Sequence, residues 1–440
     1  MLDRLQRDGF AYFIEQANPA NGLVKDCTRP GFPSSIAATG FALAAYPVGV
    51  ERRFVSRSEA AKRTLATLRF FWNSPQGTQP DATGFKGFYY HFLDMETGRR
   101  AWKCELSTID TVLLLAGALA AAAYFDRSEE VEIRDLADAL YRRADWRWAQ
   151  NGGPTVTHGW KPEKGFLRYR WVGYDEATIL YVLGLGSPTS PLPAKSYAAY
   201  VSGYKWKTIY GFEHLYAGPL FIHQYSHVWI DFRGVKDAFM RARGIDYFEN
   251  SRRATLVHQQ YGVRDPRGFG CHCACGHACG CCWGLTASDG PGPTVMKIDG
   301  KKRRFYGYLA RGAPFGPDDG TIAPWAAVAS LPFAPEVVLP TIEHLIHMGV
   351  GPTCCPYGLA ASFNPRFPGA SGKAGWISPW NYGLNQGPLV LMVENHRSGL
   401  LWELMRRCPY LDAGLRCAGF AGGWLDNPGS QRPPEAHRSA

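Results

Sequence analysis

Two kinds of apolar-periodic segment take turns along this chain, and that alternation restricts its folds more than any other feature. One kind is small and apolar on every side, as in Ser34-Ser35-Ile36-Ala37-Ala38-Thr39-Gly40-Phe41 and from Thr111 to Ala123. Such a segment suits a helix packed all round. The other kind is amphipathic and charged, as from Ser56 to Arg63 and from Glu129 to Arg147, and suits an outer layer facing water. Twelve segments divide between the classes: 2–17, 34–46, 56–72, 107–125, 128–149, 174–186, 194–204, 223–232, 245–261, 321–331, 335–348 and 387–406. Several carry N-cap signals, such as Ser56 with Glu59, or Ser128 with Glu129 and Glu130. Strand signals are few. The expectation is one all-α domain over residues 1–425, an (α/α)6 toroid of six inner and six outer helices, with a fraying Pro/polar tail at 426–440. A solenoid would show a regular sequence period, which is missing.

The connections into the apolar segments are long and rich in Gly, aromatics and carboxylates, and long loops are more often functional than structural. The chain holds 14 Trp, 22 Tyr and 24 Phe. Core packing explains part of this, but aromatics beside loop carboxylates suit sugar rings, whose C–H faces are apolar. A net charge of +10 raises the question of nucleic acid. The basic residues are dispersed over helical faces, and the densest run, Lys301-Lys302-Arg303-Arg304, resembles a turn. No apolar run reaches the ~18–20 residues needed to cross a bilayer. Met1 is followed closely by Asp3, Arg4, Arg7 and Asp8, so no secretory signal is read there, and if Met1 is the true start the chain is cytoplasmic.

Four loop-to-helix junctions hold the candidate chemistry. The first runs from Tyr90-His91-Phe92-Leu93-Asp94 through Trp102 to Glu105 and Asp110. Asp110 could simply complement the helix dipole or take part in a cap, while Glu105, beside Trp102, is harder to explain that way. At the second, Trp171-Val172-Gly173-Tyr174-Asp175-Glu176 opens an apolar helix, and two acids there are costly to bury for packing alone. Glu176 is expected in the cavity and Asp175 as cap or support. The third, His223 to Arg233, places His223 and His227 four apart and includes Asp231. That spacing can ligate a metal, but no Glu accompanies it, and sugar hydrogen bonding or core packing is the preferred reading. At the fourth, Asp318-Asp319, capping is the leading explanation. Two carboxylates flanking a glycosidic bond are the minimum for glycoside hydrolysis, one protonated and one not.

The run Cys271 to Cys282 packs six Cys and two His into twelve residues. It lacks paired C-x-x-C knuckles, so an opportunistic metal site, disulfides and an incidental biased loop all stay open. Neither a serine elbow, a P-loop nor a dinucleotide fingerprint is present, and no cofactor or metal is expected.

Ser34–Phe41, Tyr90–Asp94, Glu105–Asp110, Gly173–Ala177, Tyr225–Phe232, Trp283–Gly290 and Asn385–Pro388 together resemble the glucoamylase-like bacterial domain of glycoside hydrolase family 144. The resemblance runs from about Leu2 to Leu425. It implies an (α/α)6 barrel and endo-cleavage of β-1,2-glucan with anomeric inversion, giving sophorose and short sophoro-oligosaccharides. It also implies export to the periplasm or medium. Glu176 is then the general acid and Glu105 the water-activating carboxylate, with Asp110 in support. Substrate contacts would come from Tyr90, His91, Asp94 and Trp102, from Trp171, Tyr174 and Asp175, and from His227, Asp231, Trp283, Trp380 and Gln386. The Cys-rich run departs from the family pattern. A transglycosylase, a glycosidase of another linkage and a glycan-binding protein without turnover are the alternatives. The partner in each case is an oligo- or polysaccharide, with no part for nucleic acid or membrane.

Overall fold

The computed structural model describes residues 1–269, 282–353, 355–368 and 375–426. The 426–440 tail beyond Asp426, and the Cys-rich run before Cys282, lie outside the described residues.

The apolar segments become helices buried on nearly every side: Ile36–Glu51, Thr108–Tyr124, Thr178–Leu185, Tyr225–Trp229, Pro324–Val328 and Gly383–Arg397. The amphipathic segments become helices with one buried stripe, among them Leu2–Glu15, Arg57–Asn73, Val131–Arg143, Tyr247–Arg264 and Pro335–His347. Helix 36–51 packs on 108–124 and on 383–397. Helix 383–397 in turn meets 324–328 and 225–229, while 108–124 meets 178–185. Among the described residues, no helix is long and apolar enough to cross a membrane.

Several expected boundaries moved. The segment 128–149 breaks into a short 3-10 turn, the Val131–Arg143 helix and a Trp146–Ala149 turn. Residues 174–177 stay outside the helix that starts at Thr178. The last segment begins at Gly383 and is interrupted at Gly399, whose φ of +75° ends one helix before Leu400–Arg406 starts.

The expectation of an all-α chain is corrected: the molecule is helix-rich but carries several short antiparallel sheets. The basic run Lys301–Arg304, expected as a turn, lies in a strand, Lys301–Phe305, paired with Thr294–Ile298 around Asp299-Gly300. A five-stranded sheet joins Gly84–Phe85, Phe88–Tyr90, Leu106–Ser107, Gly159–Lys161 and Gly165–Phe166. These pieces are two or three residues long, too short for an alternating pattern to stand out. They matter because two of the buried helices are entered from strands. Ser35 and Ser107 each end a strand and cap the following helix through bonds from Ala38 N and Asp110 N.

Candidate active site

The sheet register builds the acidic side of the site. Tyr89 pairs with Ser107 and Tyr90 with Leu106, so the next antiparallel position sets His91 opposite Glu105, and His91 N donates to Glu105 O at 3.0 Å. Their side chains meet as well. His91 Nδ1 lies 3.0 Å from Glu105 Oε1, and His91 Nε2 lies 3.7 Å from Asp110 Oδ2. Ser107, the cap of helix 108–124, also donates from its hydroxyl to Asp110 Oδ2. One imidazole therefore stands between two carboxylates.

Charge follows from this geometry. Burial works against a charged His91, but Asp110, the hydrogen bond to Glu105 and the charges of Glu105 and Asp26 outweigh it, and its pKa is pushed up to about 9. The bond from His91 holds Glu105 down to about 2 against the pull of burial. Asp26 moves the other way: burial pushes it up to about 6 although His91 opposes.

Glu176 sits in a different setting. Gly173, at φ +94°, turns the chain ahead of it. Ser226 then donates to Glu176 O at 3.1 Å, tying the backbone to the neighbouring buried helix. Burial, joined by the charges of Asp175 and Asp110, raises the Glu176 pKa well above the usual carboxylate range. Asp175, expected as cap or support, closes the turn ahead of the helix: its Oδ1 accepts Ala177 N at 2.9 Å, while the helix itself, with Ala177 at its N-cap, has no side-chain cap.

A cavity of about 300 Å³ brings Glu105, Asp110, His91 and Glu176 together with Trp171. Its apolar wall includes Phe221, Tyr225 and Leu384. His158 and Tyr308 also line it and were not anticipated from sequence. His158 stacks on Trp171 at 3.8 Å, and Trp171 Nε1 donates to Thr108 Oγ1 at 3.0 Å. His158 lies in a loop beside a three-residue strand, and Tyr308 follows a hairpin read as a turn, so neither had a periodic signal.

Other expected sugar contacts are placed elsewhere, and each has a physical reason. His227 is in the core, with Nε2 3.0 Å from Ser251 Oγ and a pKa that burial lowers to about 3. Asp231 is buried and paired with Arg233 and Arg406. Trp283 is buried and donates to Thr341 Oγ1 at 2.9 Å. Gln386 is buried inside helix 383–397. Tyr174 packs between Tyr204, Tyr247 and His223. Tyr90 is buried beneath the Arg100 guanidinium, 4.7 Å from its ring centre. Asp94 closes its own exposed turn by accepting from Thr97 and Glu96. Trp102 and Trp380 lie outside the cavity lining, Trp102 exposed and Trp380 half-buried.

A family model described as "Putative glucoamylase" matches residues 168–409, more than half of the chain. The chain belongs to this glucoamylase-like family. A curated exo-β-1,2-glucooligosaccharide sophorohydrolase (non-reducing end) of Parabacteroides distasonis is 28% identical over 454 aligned residues, covering 94% of this chain and 57% of that protein. The chain thus spans a little over half the length of that relative. Among solved structures, a Bacteroides uniformis protein given the same glucoamylase description superposes with a TM-score of 0.82 at 29% identity, covering 96% of this chain and 98% of that one. An endo-β-1,2-glucanase from Chitinophaga pinensis, solved with sophorotriose and glucose, gives 0.80 at 26% identity, with 96% and 97% covered.

Proposed function

We propose that this glucoamylase-like chain is a glycoside hydrolase that cleaves β-1,2-glucan, with Glu176 as general acid and Glu105 as the carboxylate that activates water. The observation that carries the reading is the opposed tuning of two glutamates on one cavity, Glu176 raised and Glu105 lowered. At neutral pH this keeps one protonated and the other ionised, which is the division of labour glycoside hydrolysis needs. The Glu176 proton passes to the glycosidic oxygen as the C1–O bond breaks. Water attacks C1 from the other face and gives its proton to Glu105. A carboxylate held near 2 accepts that proton only as the His91 bond is given up, so the acid role rests on charge and position together and the base role on position.

The names of the relatives support the β-1,2 linkage. Within that reading, action is endo and inverting, with sophorose and short sophoro-oligosaccharides released in the periplasm or medium. The frame is read as an (α/α)6 toroid formed by one unit over residues 1–425, because the main apolar cluster draws residues from Leu5 to Leu425. The test is incubation with β-1,2-glucan, β-1,3-glucan, β-1,4-glucan and starch, reading new reducing ends and the anomer first formed. Release from β-1,2-glucan as the α anomer is expected. Turnover of another glucan in its place would overturn the linkage, and a retained β anomer would overturn inversion. Sophorose alone from the first minutes would replace endo with exo action.

A further inference from the structure

The basic hairpin of Thr294–Ile298 and Lys301–Phe305 grows from the cavity wall. Ala287 and Tyr308 both line the cavity. Ala287 pairs with Ala310 and Ser288 with Leu309, and the chain between these two short strands forms the hairpin. Its strands of five residues extend about 17 Å. One face is fastened to the molecule. Arg303 donates to Gly268 O at 2.7 Å and to Arg267 O at 3.2 Å, and its guanidinium lies 4.5 Å from the Phe269 ring centre. Phe305, on the same face, meets Phe367 edge-on at 5.1 Å.

The other face is set by the register. Val295 pairs with Arg304 and Lys297 with Lys302, so these four share that face, and all are exposed. Like charges directly opposite each other on paired strands are destabilising, so Lys297 and Lys302 weaken the hairpin they belong to. No acid relieves them. Among the described residues no carboxylate pairs with Lys297, Lys302 or Arg304, and Asp299 at the turn is taken by Arg366 at 3.5 Å. Lysines that guard a sheet edge against other chains need only point to water; they need not be set against one another.

We propose that Lys297, Lys302 and Arg304 bind anionic ester groups carried by the glucan, so that the substrate is a charged β-1,2-glucan rather than the bare polymer. Anions on glucose units near the one held in the cavity relieve the facing ammonium groups, and the net charge of +10 draws such a polyanion in. Two other polyanions fit less well. A bilayer surface would be met by the turn, where Asp299, its side chain 73% exposed, and Gly300 offer nothing apolar to insert. Single-stranded nucleic acid stacks its bases on aromatic rings, and this face has Val295 and no ring. The inference rests on the proposed glucanase reading and narrows its substrate.

The test compares kcat/KM on two β-1,2-glucans esterified to the same light degree, one with succinate, which leaves a free carboxylate, and one with acetate, which is neutral. Wild type should favour the succinylated glucan by about tenfold at low salt, as three exposed ion pairs together allow. The preference should fade in about 0.5 M NaCl, which screens exposed charges. Lys297→Gln, Lys302→Gln and Arg304→Gln combined should abolish it, and each alone should lose part of it even if the combined variant folds poorly. Equal use of the two glucans by an active wild type, or a preference that survives the combined variant, would overturn this inference alone. So would binding of wild type to phosphatidylglycerol vesicles in place of the succinylated glucan. A wild type inactive on β-1,2-glucan with or without succinate would overturn the reading beneath it.

Discussion

His91 Nδ1 stands 3.0 Å from Glu105 Oε1 because the strand register sets the two residues opposite each other. The bond makes the ionisation of each depend on the other. Replacing His91 by Asn removes the positive charge that holds Glu105 near 2, and burial then raises Glu105. The acid limb of kcat/KM should move up by about one to two pH units, the usual effect of losing an adjacent opposite charge. Stability should respond with a defined sign. The lowered Glu105 stabilises the fold above its ordinary 4.5 and loses that as pH falls towards 2. The raised His91 stabilises it below its ordinary 6.5 and loses that as pH rises through about 9. The Tm deficit of the variant should therefore be fullest between those ordinary values. An unmoved acid limb would refute the coupling.

Glu176→Gln keeps the shape of the side chain and removes the proton to be donated. Turnover should fall by about 10²–10⁴-fold, with KM little changed. The variant should also be the more stable protein at neutral and alkaline pH. A carboxyl whose folded pKa is raised favours the fold below its unfolded value and loses that advantage as pH rises towards the folded one. Gln has no such loss, so its Tm advantage over wild type should grow between pH 5 and 8. Near-wild-type turnover in this variant would remove Glu176 from the acid role.

Glu105, Asp110, His91, Glu176 and Trp171 could be found in the sequence because they sit at starts of strongly apolar segments, where a carboxylate or imidazole is out of place. The buried helices were visible for the same reason, although Thr178–Leu185 and Tyr225–Trp229 are shorter than their apolar runs. What stayed hidden depends on pairing between distant segments. No local pattern sets Tyr90 against Leu106, or brings Asp26 near His91 and Asp110. His227 and Asp231, polar residues in an apolar run, lie in the interior rather than on the cavity. Partners remote in sequence meet them there: Ser251 Oγ lies 3.0 Å from His227 Nε2, and Arg406 pairs with Asp231.

Arg311 and Asp319 form an ion pair with both side chains fully buried. The guanidinium forks onto the carboxylate at 2.7 and 2.8 Å and donates to Ser288 O at 2.8 Å. Asp319 also accepts Tyr306 N and Thr321 N, so the pair fastens the segment that presents Tyr308 to the cavity. Arg311→Met leaves a carboxylate buried with two backbone donors and no counter-charge, and should cost about 3–5 kcal/mol in urea unfolding. Adding Asp319→Leu should recover only part of this, because Tyr306 N and Thr321 N would then lose their acceptor. Full recovery would mean that the charge, not the backbone bonds, carries the effect.

The frame beneath the site depends on a close approach of helices 36–51 and 108–124. A Cβ on Gly117 would lie 2.0 Å from Gly40 O, and one on Gly40 would lie 2.4 Å from Leu113 O. Alanine gains about 1 kcal/mol over glycine in helix propensity. That gain is the smaller effect here, because the obstacle is a carbonyl in another helix rather than a side chain that can rotate away. Gly117→Ala must push the two helices apart, opening contacts along both, and should be destabilising by about 1–3 kcal/mol net. Because helix 108–124 starts directly after Glu105–Ser107 and carries Asp110, the shift should reach the His91 bond and lower kcat as well. Urea midpoints and turnover of Gly117→Ala against wild type decide it. A variant as stable as wild type would show that the helices have room to separate, and that the glycines are not what sets their distance.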